Sequence, residues 1–214
     1  MAATGSGTPK RDTYRHGDLR NALIEAGFEL ARQGGPEAVV LRAATRQAGV
    51  APNAAYRHFA DRGALLHAVS QAAMAEVART MEAEQAALPH VPDAAAAARG
   101  RFRAVGTGYL RFAQKEPGLF RTAFHVPGDM TYATDDTAAG PGGKTPFELL
   151  GAALDDLVEA GLLPEDRRPG AEFLAWSAVH GLAMLLIDGP LRGLHAAQAH
   201  DAGRHLIDMI ERGI

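Results

Sequence analysis

Apolar side chains recur at helical intervals over most of this chain. From Asp18 onward, Leu19, Leu23, Ala26 and Leu30 follow i, i+4, i+7, i+11, and Gly34-Gly35-Pro36 stops the run, which predicts a first helix over about 17 to 33. Residues 41 to 48 form a short helix closed by Gly49-Val50, and Pro52, tolerated in a first turn, opens another over PNAAYRHF. Two short helices joined by a Gly-containing turn make a helix-turn-helix. A long amphipathic helix follows over about 62 to 87, with Leu66, Val69, Ala73, Val77 and Met81 on one face, until Pro89 and Pro92 break it. Ala98, Phe102, Val105, Tyr109 and Phe112, spaced 4, 3, 4, 3, mark the next helix, and a short one runs from Pro117 to about Phe124. Residues 126 to 146 carry Gly, Pro, Asp and Thr without periodicity and predict a long mobile loop. Three more helices fit the remainder, at about 146 to 160, 169 to 188 and 193 to 212.

Composition narrows the class. Val and Ile together occupy 15 of 214 positions, about 7%, which nearly excludes a β-rich fold, and the 47% hydrophobic content is ample for a buried core. The absence of cysteine removes disulfides, thiolate nucleophiles and Cys-based metal sites, leaving only His, Asp and Glu as metal ligands. The longest apolar runs, such as Leu182 to Ile187, are far short of the roughly 20 residues that span a bilayer. Small polar residues stand at the N-terminus where a signal peptide needs an apolar stretch, so a cytoplasmic protein without membrane contact is expected. Residues 1 to 70 hold nine Lys/Arg against six Asp/Glu, whereas 71 to 214 hold thirteen against nineteen. A basic first third on an acidic remainder suggests a polyanion-facing module joined to something else. Residues 1 to 15, with Lys10, Arg11 and Arg15 among Gly, Ser, Thr and Pro, read as a disordered basic arm.

Several apparent motifs dissolve on inspection. Gly142-Gly143-Lys144-Thr145 looks like the end of a phosphate loop, but the first glycine of that pattern would fall at Ala138 and no strand precedes it, so flexible loop is the better reading. His195, His200 and His205 lie about 140° apart around a helix and cannot converge on one metal. None of the three serines sits in a G-x-S-x-G setting. The pairs Asp135-Asp136 and Asp155-Asp156 read as solvated surface. No catalytic group, cofactor or metal is assigned.

The helix-turn-helix survives. The stretch from Leu41 to Leu66, LRAATRQAGVAPNAAYRHFADRGALL, resembles the DNA-binding domain of the TetR family of bacterial transcriptional regulators. Gly49-Val50 stands at the turn, Tyr56 and Phe59 near the end of the recognition helix with His58 between them, Arg62 at the start of the next helix, then Leu65-Leu66. Ala26-Gly27-Phe28 and Gly34-Gly35 extend the match over residues 16 to 67. Tyr56 and His58 end a helix short enough to lie across a major groove, where a hydroxyl and an imidazole reach phosphate oxygens. Arg62 adds a charge at a helix N-terminus suited to anions. Asn53, one of two asparagines, has an amide that pairs bidentately with adenine, and Pro52 opens the same helix. The resemblance further implies a base or phosphate contact at Arg42. Two places depart from the family pattern. Val40 and Ala51 stand where Ser or Thr usually cap the short helices, each lost cap costing about 1 kcal/mol, and Ala44-Thr45 replaces a bulky apolar residue followed by Ala. Both predict a motif of lower stability or lower DNA affinity.

In the C-terminal half, Phe173, Trp176, His180, Met184 and Ile187 fall within about 80° on one helix, with Ala171, Ala175, Ala178, Leu182 and Leu185 opposite. A helix apolar on two faces buries both, one in its own subunit and one against a partner helix. Trp176-x-x-x-His180-Gly181, with YLRFAQKEPGLFRTAF upstream, resembles the C-terminal domain of a TetR subfamily with a Trp and His-Gly signature. His180 reads either as a buried histidine bonded to a neighbour or as a ligand contact. The resemblance implies an effector pocket between Trp176, His180 and Met184 and the facing Phe102, Tyr109, Phe112 and Phe124, for a mostly apolar molecule. The expectation is therefore an all-α fold: a basic arm (1–15), a three-helix helix-turn-helix domain (16–62) and a larger helical effector-binding and dimerisation domain (63–214). Its function would be that of a homodimeric repressor released from a palindromic operator by a small ligand. The alternatives are a helical enzyme or carrier using the His180 pocket, and a dimeric ligand-binding protein that no longer reads DNA.

Overall fold

The computed structural model describes residues 16–125 and 133–214, and these are helices joined by turns and short 3-10 segments. In chain order they are α1 (His16–Gly34), α2 (Leu41–Gln47), α3 (Pro52–Ala55), α4 (Arg62–Ala86), α5 (Ala94–Lys115), α6 (Pro117–Ala123), α7 (Pro146–Glu159), α8 (Ala171–Ile187) and α9 (Ala196–Gly213). The expected all-α class is what the chain forms, and no helix among the described residues is long and apolar enough to cross a membrane.

Helix starts follow local chemistry. The Asp61 carboxylate accepts from the Ala64 N–H at 2.8 Å to begin α4, and Asp93 accepts from the Ala95 and Ala96 N–H groups to begin α5. Thr145 and Glu148 form a capping box at the head of α7, so the Gly-Gly-Lys-Thr segment ends as a helix cap. α2 and α3 start at Val40 and Ala51 with no side-chain cap. Gly49, at φ 70°, makes the left-handed turn between them.

The recognition helix is shorter than its sequence suggests. α3 stops at Ala55, whose carbonyl accepts from both the His58 and Phe59 N–H groups at 2.9 Å, and the chain bends to bury the Phe59 ring. Tyr56 and His58 therefore occupy the turn after the helix, not its last residues.

α4 is the axis of the molecule. Its first half buries Leu65, Leu66 and Val69 with Leu23 of α1, Val39, Ala44, Ala55 and Phe59. Its second half buries Ala73, Val77, Ala78 and Met81, and packs on α5, α6 and α7. Gly108 of α5 sets the closest approach: a methyl group there would lie 2.6 Å from Met81 Cα and 3.1 Å from the Thr80 carbonyl oxygen. α9 is tied to α5 by Arg103, paired with Asp208 at 3.1 Å and Glu211 at 2.6 Å.

Two expectations change here. Residues 133–145, expected within a mobile loop, are built against α4. Ala138 is fully buried, and the Gly142 N–H donates to both carboxylate oxygens of Glu82, at 3.1 and 3.2 Å. The anchor comes from a residue 60 positions away, which periodicity cannot reveal. Residues 126–132 of that loop, like the basic arm, lie outside the described residues. On α8, the buried line is Ala171, Ala175, Val179, Ala183 and Leu186. Ala171 and Ala175 therefore face their own subunit, not a partner, and the outward stripe is Leu174, Ser177, Gly181 and Leu185.

Gly108→Ala should cost about 1 to 3 kcal/mol, because backbone and not a pliable side chain stands in the way. Urea unfolding monitored by helical circular dichroism measures this, and an unchanged midpoint would show that α4 and α5 can part freely.

Candidate functional site

Two surfaces carry chemistry. The first is the outer face of the helix-turn-helix, where Arg42, Pro52, Asn53 and Tyr56 are exposed, Tyr56 at 57%, and His58 is half-buried beside them. Arg46 and Arg57 are exposed in the same region and were not singled out in the sequence. The signal was present: Arg46 lies one helical turn after Arg42, and Arg57 separates Tyr56 from His58. Among the described residues, none of Arg42, Arg46 and Arg57 pairs with a carboxylate, so three guanidinium groups stand without counter-charge on one face. Arg20 lies over the Phe59 ring at 5.5 Å.

Arg62 opens α4 as expected, but its guanidinium is engaged differently from a free phosphate contact. It donates to the Val39 carbonyl at 2.9 Å and the Pro36 carbonyl at 2.7 Å, with Glu37 at 3.5 Å. The strand of chain leading into α2 is thereby clasped to the N-terminus of α4.

The second surface is a partly open cavity of about 340 Å³ lined by α4, α5, α6, α7 and α8, with Phe124, Ala133, and Ile207 and Ile210 of α9. Of the seven residues expected to line it, Phe102, Tyr109, Phe124 and Trp176 do. Phe112 is buried in the core without reaching the wall, and His180 and Met184 stand off it. The physical reason is the turn of α8 about its axis, which presents Ala175 and Val179 to the cavity instead.

His180 lies behind Tyr109. The indole N–H of Trp176 donates to the Tyr109 oxygen at 3.2 Å, and the same oxygen lies 2.8 Å from His180 Nδ1. An indole nitrogen can only donate, so the Tyr109 oxygen accepts there; its own proton meets no acceptor among the described residues other than His180 Nδ1, and satisfying that buried donor assigns the neutral His180 tautomer with its proton on Nε2. Burial acts in the same direction on both groups: it lowers the His180 pKa and raises that of Tyr109 well above its ordinary value, keeping each uncharged. The rings interlock, with Phe124 to His180 at 4.8 Å, Tyr109 to Phe120 at 5.3 Å and Phe120 to His180 at 5.6 Å.

The polar part of the wall comes from α4, as His67, Ser70 and Gln71. The sequence reading passed over these three. The one signal was Ser70, a polar residue inside the inward stripe of an amphipathic helix, whereas Gln71 falls about 80° beyond the edge of that stripe. The Ser70 hydroxyl donates to the His67 carbonyl at 2.8 Å. Gln71 is only 8% exposed, and its Oε1 has no hydrogen-bond partner.

With this geometry in view, comparison with known proteins assigns the family. Residues 23–69 match the model of bacterial regulatory proteins of the tetR family, and residues 102–210 match that of the tetracyclin repressor-like C-terminal domain. The second match alone spans more than half of the chain. The chain belongs to the tetR family, whose members are DNA-binding transcriptional regulators and not enzymes. Among solved structures, a protein of unknown function from Rhodococcus sp. RHA1 has a TM-score of 0.69 at 25% identity, over 95% of this chain and 99% of its own. A TetR-family transcriptional regulator from Pectobacterium atrosepticum has a TM-score of 0.64 at 20% identity, over 95% and 97%. The regulator FadR from Bacillus subtilis, solved with stearoyl-CoA, has a TM-score of 0.59 at 13% identity, over 91% and 98%. The last two likenesses are of fold alone. No curated protein sequence matches the chain.

Arg62→Ala removes a charged donor from two carbonyls and should destabilise the helix-turn-helix by about 1.5 kcal/mol, at the low end for such bonds because the side chain is partly exposed. Hydrogen exchange at the amides of residues 36 to 59 should rise selectively, and uniform exchange would contradict the clasp. His180, with a folded pKa below the ordinary 6.5, binds fewer protons in the fold than in the unfolded chain below that value. Its contribution to stability is therefore complete above about pH 6.5 and declines as pH falls through it. Thermal midpoints should drop across that window, and His180→Gln should flatten the drop.

Proposed function

We propose that this protein is a homodimeric cytoplasmic repressor that leaves a palindromic operator when a small, mostly apolar molecule fills the cavity. The observation that carries the reading is the double use of α4. At its first residue Arg62 holds the chain entering α2, and nine residues on, about 13 Å along the axis at 1.5 Å per residue, Gln71 stands in the cavity wall. A guest that prefers one setting of α4 thereby prefers one setting of the helix-turn-helix, which is the differential affinity a switch requires.

On the DNA side, Asn53 reads a base through its amide, Arg42 reads guanine or holds phosphate, and Tyr56, His58, Arg46 and Arg57 hold phosphates, with Pro52 setting the start of the reading helix. Arg62 positions this surface from behind. On the effector side, Phe102, Tyr109, Phe124 and Trp176 form the wall, with Phe112, His180 and Met184 packed behind it. We divide the chain accordingly into a DNA-binding module ending at residue 62 and an effector module from 63 to 214. The bonding of Trp176 and His180 through one tyrosine supports placing the C-terminal domain in the subfamily with the Trp and His-Gly signature.

Dimerisation is supported by the outward stripe of α8. Ala178, Gly181 and Leu185 line an open apolar groove with Leu206 and Met209 of α9, and Leu174 and Met209 are 67% and 62% exposed. A self-complementary face of this kind suits a two-fold axis, and two half-sites one helical turn of DNA apart suit two recognition helices.

Selection of genomic fragments by the purified protein should return a palindrome whose affinity falls steeply with salt. Asn53→Ala should cost about 1 to 3 kcal/mol and relax one base pair per half-site, whereas Arg42→Ala, if its contact is to phosphate, should weaken all sequences alike and reduce the salt slope by about one. Binding unchanged in both variants would remove α3 from the groove. Ala178→Glu should yield monomers by sedimentation that no longer hold the operator, and a variant that stays dimeric would move the interface away from α8.

A further inference from the structure

The cavity wall is mostly carbon, and three of its few polar groups, Ser70, Gln71 and Tyr109, each leave an acceptor unused. The geometry points to an effector that is uncharged and must donate a hydrogen bond, an alcohol or a phenol on a compact apolar frame, received by the acceptors of Gln71, Ser70 and Tyr109. This inference rests on reading the cavity as the effector site.

Each acceptor is left over from bonds made inside the protein. The single proton of the Ser70 hydroxyl is committed to the His67 carbonyl at 2.8 Å. That of Tyr109 is assigned to His180 Nδ1 at 2.8 Å, because no other acceptor for it stands among the described residues. Both hydroxyls therefore keep a lone pair and no proton for a guest. Gln71 Oε1 has no partner, in a side chain more than nine-tenths buried. Buried polar atoms are nearly always satisfied in folded proteins, so an orphan on a cavity wall marks where a bound molecule completes the bonding. The last torsion of a glutamine is soft, and rotation about it brings the oxygen to the cavity side.

The rest of the lining excludes the alternatives. Among the described residues it contains no Lys, Arg, Asp or Glu, so neither a carboxylate nor an ammonium group would find a counter-charge there, and burying either alone is costly. His67, the one histidine of the wall, stands in the field of Asp135. A ketone or ether, which only accepts, would have the Gln71 nitrogen as its donor and would leave the oxygen orphaned. A hydroxyl relieves that oxygen once the amide has turned to it.

The test uses three guests with one carbon frame: 1-adamantanol, 2-adamantanone and 1-adamantanecarboxylate. Each is titrated into the full-length protein while the emission of Trp176, the only tryptophan, and the melting temperature are followed. The alcohol should bind at least tenfold more tightly than the ketone, and the carboxylate more weakly still. In Gln71→Leu the advantage of the alcohol over the ketone should shrink below threefold, and the unliganded variant should melt higher than the parent. If the ketone or the carboxylate binds the unaltered protein as tightly as the alcohol, the donor requirement is overturned while the cavity stands as a binding site. If the advantage persists in Gln71→Leu, Gln71 is not the acceptor and the assignment fails. If none of the three alters Trp176 emission or the melting temperature, the cavity takes no compact apolar guest and the effector reading falls with the proposal. Should Gln71→Leu not fold, the ranking of the three guests on the unaltered protein decides alone.

Discussion

Where α5 crosses α4, the Gly108 backbone lies directly against Met81 and Thr80, with no room for a single methyl group between them. A contact of backbone on backbone does not give by rotamer changes, so the two helices move together or not at all. Everything at the other end of α4 is set relative to that crossing. Leu65, Leu66 and Val69 carry α1 and the helix-turn-helix, and Arg62 holds the carbonyls of Pro36 and Val39. The cavity lies between the crossing and this clasp, along α4 from His67 to Met81.

The cavity also shows how a residue can be essential to a wall without touching what the wall encloses. His180 accepts the hydrogen bond assigned to Tyr109, stacks on Phe120 and meets Phe124 edge-on, fixing which face of the tyrosine oxygen is left open. Replacing the imidazole by a group that donates at the same place would reverse the tyrosine hydroxyl, and the wall would offer a proton where it now offers a lone pair. Polarity in such a pocket is decided one layer behind its surface.

Much of the fold was legible because the determinants are local. The spacing of Leu19, Leu23, Ala26 and Leu30, and the Gly34-Gly35-Pro36 stop, predicted α1 within a residue at each end, and the prolines after Leu88 marked the end of α4. The site was legible only in part. On α8 every face is apolar enough to bury, so periodicity alone had no means to choose between the Ala175 and Trp176 sides, and the choice is made by the shape of α5 and α7. Arg62 presented itself as a cation at a helix end, while the carbonyls that engage it lie more than twenty residues earlier. Ser70 was masked by the apolar neighbours of its stripe, and Gln71 lies off that stripe, on a side of α4 that periodicity left to solvent. Residues 133–145 lacked periodicity but found their anchor in Glu82, a contact that no local pattern encodes.

The uncapped starts of α2 and α3 have a thermodynamic consequence. Four helical residues after an alanine that caps nothing make too few internal bonds to hold their shape unaided, since short helices draw their stability from what they pack against. Asn53 and Tyr56 face solvent, so nothing in the free subunit restrains the outer side of α3. A surface laid against that side would order backbone as well as side chains. Its association enthalpy would be large and opposed by ordering entropy, and its heat-capacity change more negative than the covered area implies. Such a complex would loosen disproportionately on warming, so DNA binding by this regulator would be sensitive to temperature.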